Sequence, residues 1–175
     1  MGKTIKPLPR GPDLYTPEQR KRRDSSVWTL VQGVLAPLQF LAFALSLVFV
    51  MNFLANGTGY SAAVISVLIK TGFLYTIMVT GAIWEKVVFG RYLFAPAFFW
   101  EDVVSMLVIF LHTAYVLAWL FDLMAPQAQM WLAVAAYAAY VVNAAQFLLK
   151  LRAARVAASS VGPAVGSDLA AGLSR

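Results

Sequence analysis

Cysteine is absent from this sequence of 175 residues, and histidine occurs once, at His112. The missing thiols exclude disulfides, thiolate zinc sites and iron–sulfur clusters, and the single histidine argues against a haem held by two histidines of one chain. Charge is also scarce, at 13% of the residues, whereas 61% are hydrophobic and the mean hydropathy is +0.72. A soluble domain of this size would not carry that balance, so the sequence predicts an integral membrane protein.

Four hydrophobic runs are long enough to cross a bilayer as helices. They span roughly residues 27–54, 61–84, 102–121 and 130–149. The predicted fold is therefore all-α, a polytopic membrane protein built as a bundle of four transmembrane helices. We divide it into a basic tail (residues 1–26), a membrane domain (27–155) and a disordered tail rich in Ala, Gly and Ser (156–175). Within the first tail, Thr16-Pro17-Glu18-Gln19 is typical of a capping box that begins a short helix.

The positions of Lys and Arg predict the orientation. Seven of the 14 lie in the first 26 residues, four follow the last span, and Lys86 and Arg91 lie between the second and third spans. The two opposite turns carry none. Because positive charge accumulates on the cytoplasmic side, we expect both termini and the 84–102 stretch to be cytoplasmic. The net charge of +6 is thus explained by topology, and nucleic-acid binding has no support.

The stretch from Trp84 to Asp102, WEKVVFGRYLFAPAFFWED, connects the second and third predicted spans. It is too apolar for a solvated loop, and Gly90 and Pro96 interrupt any single regular element. We therefore expect an interfacial segment in which aromatic rings lie beside Glu85, Glu101 and Asp102. Flat aromatic surface next to carboxyl groups suits a large planar substrate that must receive a proton.

Polar residues inside the spans recur at helical spacing, which predicts one polar stripe on each helix and a polar seam inside the bundle. Each has a structural alternative. The amides are helix-packing contacts or ligands, Lys70 either faces the seam or snorkels outward, and His112 is a packed core residue, a magnesium ligand to a pigment or an acid–base group. The carboxyl groups are catalytic or ordinary helix-end charges. The stripes consist of Gln32, Gln39 and Ser46; Lys70, Gly81 and Glu85; Glu101, Ser105 and His112; and Asn143, Gln146 and Lys150.

Four blocks of sequence resemble one family. They are LYTPEQRKRRDSSVWTLVQGVLAPLQF (Leu14–Phe40), KTGFLYTIMVTGAIWEKVVFG (Lys70–Gly90), RYLFAPAFFWEDVVSMLVIFLHTAY (Arg91–Tyr115) and NAAQFLLKLRAAR (Asn143–Arg155). These blocks are similar to the 3-vinyl bacteriochlorophyllide hydratase family of bacteriochlorophyll biosynthesis. The resemblance implies addition of water to the 3-vinyl group of chlorophyllide a or a bacteriochlorophyllide, which gives a 1-hydroxyethyl group, in a bacterial inner or intracytoplasmic photosynthetic membrane. It transfers no catalytic residues.

Chemistry and position suggest the roles instead. Hydration needs an acid that protonates the terminal vinyl carbon and a base that deprotonates the attacking water, and it needs no redox cofactor. Glu85 and Glu101 are the first choices for acid and base, Asp102 is the substitute, and His112 would relay a proton. Expected substrate contacts are stacking on the macrocycle by Trp84, Phe98, Phe99 and Trp100, pairing of Lys86 or Arg91 with the propionate, and polar contacts from Gln32, Asn143 and Gln146.

No protein metal site is predicted, because the magnesium belongs to the pigment. Expected partners are the pigment, membrane lipid and other enzymes of pigment biosynthesis. Two alternatives remain open from the residues alone: a non-catalytic pigment carrier or photosystem assembly factor, which would use the same aromatic stretch, and a small transporter. The sequence has no internal repeat of the kind that many transporters show, so the transporter is less well supported.

Overall fold

The computed structural model describes residues 14–159, with side chains through Val156. Every regular element in that range is an α-helix. Four of the helices are long and apolar enough to cross a membrane, which confirms the predicted all-α, four-span fold. The helices are α1 (Pro17–Ser25), α2 (Val27–Asn56), α3 (Tyr60–Phe89), α4 (Phe99–Leu120) and α5 (Pro126–Ser159).

The short helix α1 forms where the capping box predicts it. The Thr16 hydroxyl accepts a hydrogen bond from the Gln19 backbone N–H, and the Gln19 side chain accepts one from the Thr16 N–H. Ser26 then caps the next helix through the Trp28 N–H, so α1 and α2 are separated by a single residue. The predicted disorder of the tails concerns mainly residues outside the described range, and α5 continues to Ser159.

The connection between α3 and α4 is shorter than the sequence suggested. The second span was expected to end near Trp84 and the third to begin near Asp102, but α3 continues to Phe89 and α4 begins at Phe99. Gly90 ends α3 because it adopts a left-handed φ of 82° and its N–H donates to the Lys86 carbonyl. Glu85, Glu101 and Asp102 therefore lie on helices, and the connection comprises residues 90–98 alone.

The membrane helices associate as two hairpins, α2 with α3 and α4 with α5, whereas α3 and α4 approach each other less closely. The apolar core lies between the hairpins. Val50, Val67 and Val108 are fully buried there, and the Phe43 ring packs edge-on against the Tyr137 ring with centroids 5.3 Å apart. The apolar faces of the two hairpins account for the packing of the bundle. The polar side chains inside it must find hydrogen-bond partners in the protein, because lipid offers none.

Buried polar contacts join the hairpins midway along the bundle. Ser46 of α2 hydrogen-bonds to the Tyr137 hydroxyl of α5 at 2.6 Å. Lys70 of α3 donates to His112 Nε2 of α4 at 2.5 Å, and its Nζ lies 4.3 Å from the Tyr140 ring centroid. Of the two alternatives for Lys70, the structure excludes outward snorkelling, because the residue is 0% exposed. A lysine this deep lowers its free energy by turning toward polar and aromatic partners inside the bundle.

We predict that His112→Leu destabilises the protein by about 1–2 kcal/mol, because Lys70 Nζ then loses its hydrogen-bond acceptor in an apolar core. The double variant Lys70→Met/His112→Leu should recover part of that loss. Thermal unfolding of the purified protein in detergent, followed by circular dichroism, measures both. Tyr75→Phe is the matched control, because it removes an exposed α3–α4 hydrogen bond, that of Tyr75 to Thr113. Equal midpoints for His112→Leu and Tyr75→Phe would contradict the prediction.

Candidate active site

Two carboxyl groups, one on each side of the α3–α4 crossing, form the centre of the candidate site. Glu85 near the end of α3 and Asp102 in the first turn of α4 are 5% and 3% exposed. The two carboxyl groups are close enough to interact with each other. Two buried carboxyl groups this close favour a proton on one of them, because two adjacent negative charges repel each other. The pair is therefore built to hold a proton at the end of an apolar bundle.

The α3–α4 connection fixes both carboxyl groups. The Phe94 N–H donates to Asp102 Oδ2 at 2.7 Å, and the next N–H, that of Ala95, donates to Glu85 Oε2 at 3.2 Å. Phe94 adopts a left-handed φ of 58°, which is unfavourable for a bulky residue. This conformation points successive N–H groups at two different helices, and such backbone strain is concentrated at functional sites.

Glu101 is held separately, on the side of α4 that faces α5. Its Oε2 accepts a hydrogen bond of 2.5 Å from Lys150 Nζ, which also donates to the Ala97 carbonyl. The carboxyl group beside Glu85 is thus that of Asp102, whereas Glu101, which the sequence suggests with Glu85 as acid or base, is paired with Lys150. Sequence reasoning placed Lys150 on a polar stripe but gave it no role in the site. The signal was available, because Lys150 continues the Asn143–Gln146 spacing on α5.

The aromatic residues near the connection divide into two groups. Phe98 is buried and Trp84 is half-buried, with their ring centroids 5.8 Å apart, and both pack with Phe89, Phe147 and Tyr15. The Phe98 ring is therefore not available for stacking on a ligand, and the Trp84 ring is only partly accessible. The second group, which we call the outer aromatic surface, is exposed and consists of Tyr92, Phe94, Phe99 and Trp100.

The outer aromatic surface is continuous with the carboxyl pair. The Phe94 ring packs against Phe99 at 5.8 Å, and Phe99 packs against Trp100, which is 69% exposed. The backbone N–H of the same Phe94 binds Asp102. Lys86 is exposed at this edge, donates to the Gly90 carbonyl and lies 5.3 Å from the Tyr92 ring, and Arg91 is exposed beside it. A flat ligand on this surface would have cations and an acid within reach.

Helix α1 closes the opposite side of the connection. Tyr15 stacks on Phe89 at 5.7 Å, and the Arg23 guanidinium lies 4.7 Å from the Tyr15 ring centroid. Burial raises the pKa of the Tyr15 phenol, and Arg23 partly opposes the increase. Tyr15 was not among the site residues expected from the sequence. Its role is to fix α1 against the end of α3.

The remaining predicted residues lie at different depths. Gln32 donates to the Thr80 hydroxyl at 2.8 Å and lies against Gly81. Asn143 donates to the Ser105 hydroxyl at 2.8 Å. His112 is 10 residues beyond Asp102, about 15 Å along the helix. Its Nδ1 binds the Val108 carbonyl and its Nε2 binds Lys70, so the structure does not bring His112 to the carboxyl pair.

We predict that Lys150→Met lowers the thermal midpoint of the protein, because Glu101 loses the cation that offsets its burial. The expected loss is about 1–3 kcal/mol, and the double variant Glu101→Gln/Lys150→Met should regain most of it. Arg152→Met, an exposed α5 position two residues on, is the control. If Lys150→Met unfolds at the same temperature as Arg152→Met, the ion pair contributes no stability.

Comparison with known proteins agrees with the resemblance seen in the sequence. A family model described as 2-vinyl bacteriochlorophyllide hydratase matches residues 15–153. A protein of that name from Rhodobacter capsulatus is 68% identical over 147 residues, covering 84% of this chain and 85% of the relative. Another, from Cereibacter sphaeroides, is 68% identical over 143 residues, covering 82% and 89%. No solved structure matches.

The vinyl group is numbered 2 in these descriptions and 3 in the family name used above, and both names describe a bacteriochlorophyllide vinyl hydratase. The match extends from Tyr15, in the aromatic packing around α1, past Lys150 on α5. It includes both carboxyl clusters and the connection between them. The chain therefore belongs to the 2-vinyl bacteriochlorophyllide hydratase family.

Proposed function

We propose that the protein adds water across the vinyl group of chlorophyllide a or a bacteriochlorophyllide, giving the 1-hydroxyethyl derivative, as a step of bacteriochlorophyll biosynthesis. Family membership supports the reaction, and the relatives' names favour it over a pigment carrier or assembly factor. One structural observation carries the mechanism: the buried Glu85–Asp102 carboxyl pair lies on helices long enough to cross the membrane, beside the outer aromatic surface. An alkene is a weak base, so a positioned acid sheltered from bulk water is what the first step demands.

The Glu85–Asp102 pair is the acid. It gives its proton to the terminal vinyl carbon, which becomes a methyl group, and the positive charge left on the adjacent carbon is delocalised into the macrocycle. Water attacks that carbon and loses a proton. Glu101 is the base, because its ion pair with Lys150 is the arrangement of an ionised carboxylate, which can accept a proton. The net reaction adds one water molecule and returns the acid to its starting state after a proton transfer.

The pigment lies on the outer aromatic surface. Phe99 and Trp100 offer ring faces to the macrocycle from the interfacial zone, and Phe94 links that surface to Asp102. Lys86 and Arg91 are exposed at the same edge and pair with the propionate carboxylate. Trp84, which is half-buried, and Phe98, which is buried, pack in the cluster behind this surface and support it.

The reaction uses no cofactor beyond the magnesium that the pigment carries. Hydration transfers no electrons, and a carboxylic acid supplies the proton. His112 does not ligate the pigment metal, because Val108 and Lys70 occupy its two nitrogens. Its role is to join α3 and α4. Membrane lipid surrounds the four helices, and neighbouring enzymes of pigment biosynthesis are the expected sources and acceptors of so poorly soluble a substrate.

The protein lies in a bacterial membrane with both termini and the α3–α4 connection on the cytoplasmic side. The inner photosynthetic membrane is the site of pigment synthesis that the family implies. Charge supports the orientation, because 13 of the 14 Lys and Arg residues fall on that side and the fourteenth, Lys70, is buried mid-bundle.

Removing the acid should abolish catalysis. We predict that Glu85→Gln and Asp102→Asn each lower the hydration rate by about 10²–10⁴-fold, because a carboxyl–amide pair has no carboxyl proton shared between two acids. The assay converts vinyl to hydroxyethyl pigment in membranes containing equal amounts of each variant. Asp122→Asn, an exposed acid after α4, is the control and should retain full activity. Near-normal rates in both acid variants would exclude this pair from the mechanism.

The absence of native cysteine allows a direct test of orientation. We predict that Thr58→Cys, in the α2–α3 turn, reacts with a membrane-impermeant thiol reagent added to intact spheroplasts. Arg91→Cys and Ser25→Cys should react only after the membrane is opened, because the positive-inside arrangement keeps them cytoplasmic. Labelling of Arg91→Cys in intact spheroplasts, with Thr58→Cys protected, would reverse the proposed orientation.

A further inference from the structure

Two buried amide oxygens near the acid groups lack a protein partner. Among the described residues, neither Asn143 Oδ1 nor Gln146 Oε1 has a hydrogen-bond partner, although the Asn143 side-chain nitrogen binds Ser105. Asn143 is only 8% exposed. An unsatisfied carbonyl oxygen inside an apolar bundle costs free energy, so these two acceptors favour a ligand that donates hydrogen bonds.

The spacing of the two side chains on α5 favours one small donor shared between their oxygens. Asn143 and Gln146 are three residues apart on α5, so their side chains project from the same face with Cβ atoms about 5–6 Å apart. That separation suits a single water molecule that donates one hydrogen bond to each oxygen, since each such bond spans about 2.8 Å. A water molecule has two donor hydrogens, and two acceptors satisfy both of them.

This pair lies on the same seam as the proposed base. Lys150, four residues beyond Gln146 on α5, binds Glu101. Asn143, three residues before Gln146, binds Ser105, which is four residues after Glu101 on α4. Gln146 therefore lies between two α4–α5 contacts, one to Glu101 and one to a residue a turn deeper. The acid pair occupies the other side of α4, where Asp102 meets Glu85.

We propose that Asn143 Oδ1 and Gln146 Oε1 bind the water molecule that attacks the substrate. This inference depends on the proposed hydratase function. With both hydrogens bound to amide oxygens, the water oxygen keeps its lone pairs free to form the new carbon–oxygen bond. As the bond forms, the water exchanges one of its two amide hydrogen bonds for one to Glu101, and that proton passes to the Glu101 carboxylate. The α3–α4 seam thus supplies the proton and the α4–α5 seam supplies the water.

The cation formed by protonation has two fates, and their ratio reports on the bound water. Water capture gives the hydroxyethyl product. Return of a methyl hydrogen to the acid regenerates the vinyl substrate. In D₂O the acid delivers deuterium, so each return that removes hydrogen instead of deuterium leaves a deuterated vinyl group. Mass spectrometry of the recovered substrate counts returns, and the product yield counts captures.

We expect Gln146→Met to raise the ratio of vinyl deuteration to hydration about five- to tenfold over that of the unaltered protein, because one hydrogen bond to the nucleophile is lost. Gln146→Glu retains an acceptor oxygen at the same length and should restore part of the lower ratio. Asn143→Leu removes the other acceptor oxygen and should raise the same ratio. If Asn143→Leu does not accumulate in membranes, the Gln146 variants alone decide the outcome.

Tyr115→Phe is the matched control. It also removes a buried polar atom that has no partner among the described residues, but about 15 Å deeper on α4 than Ser105. Its ratio should equal that of the unaltered protein. A Gln146→Met variant that lowers hydration and deuteration together, with an unchanged ratio, would overturn the water site while leaving the hydratase function intact. If the unaltered protein forms neither hydroxyethyl pigment nor deuterated vinyl pigment, the water site and the hydratase function are both overturned.

Discussion

The interaction between the buried carboxyl groups of Glu85 and Asp102 is the contact on which the account of the site depends. It crosses from α3 to α4, the helices of adjacent hairpins that approach each other less closely than the helices within each hairpin. Lipid offers no partner for a carboxyl group, so each acid at this depth must find one in the protein. The same constraint explains why Lys70 binds His112 and Ser46 binds Tyr137. Polar side chains that would be costly alone become the links between two apolar hairpins.

The connection between α3 and α4 converts that link into a candidate catalytic centre. Its unusual Phe94 conformation places one backbone N–H on Asp102 while the following N–H reaches Glu85. The ring of Phe94 belongs to the exposed aromatic surface, so one residue connects the acid to the place where a planar pigment would lie. On the other side of α4, Lys150 neutralises Glu101. Two adjacent residues of one helix, Glu101 and Asp102, therefore occupy different electrostatic settings.

Much of the fold follows from composition and spacing. Hydropathy predicts the four membrane helices, the Thr16–Gln19 pattern predicts the start of α1, and helical periodicity identifies the buried faces of α3, α4 and α5. Helical periodicity did not identify which buried polar side chains contact each other. Glu101 and Asp102 differ by about 100° around the helix axis, and the sequence alone does not tell which of the two meets α3. Glu85 and Glu101 are the acid and base that the sequence suggests, and the structure adds that the carboxyl group beside Glu85 is that of Asp102.

The sequence alone also did not predict where α3 ends or which aromatic side chains are exposed. Gly90 predicts an end to α3, but the apolar run appeared to stop at Trp84 because Glu85 and Lys86 interrupt it. Burial of Glu85 against Asp102 lets the helix continue. Trp84 and Trp100 each precede a glutamate in the sequence, yet Trp84 is half-buried and Trp100 is exposed. That distinction depends on how α1, through Tyr15, covers the connection.

Infrared spectroscopy of the protein in lipid tests the shared proton most directly. A protonated carboxylic acid has a carbonyl stretch that is separate from those of carboxylates and amides, and it shifts in D₂O. The account predicts one such band in the resting protein that is lost or displaced in Glu85→Gln and in Asp102→Asn but unchanged in Glu101→Gln. A band that survives in both members of the pair, or that disappears only with Glu101, would contradict a proton held between Glu85 and Asp102.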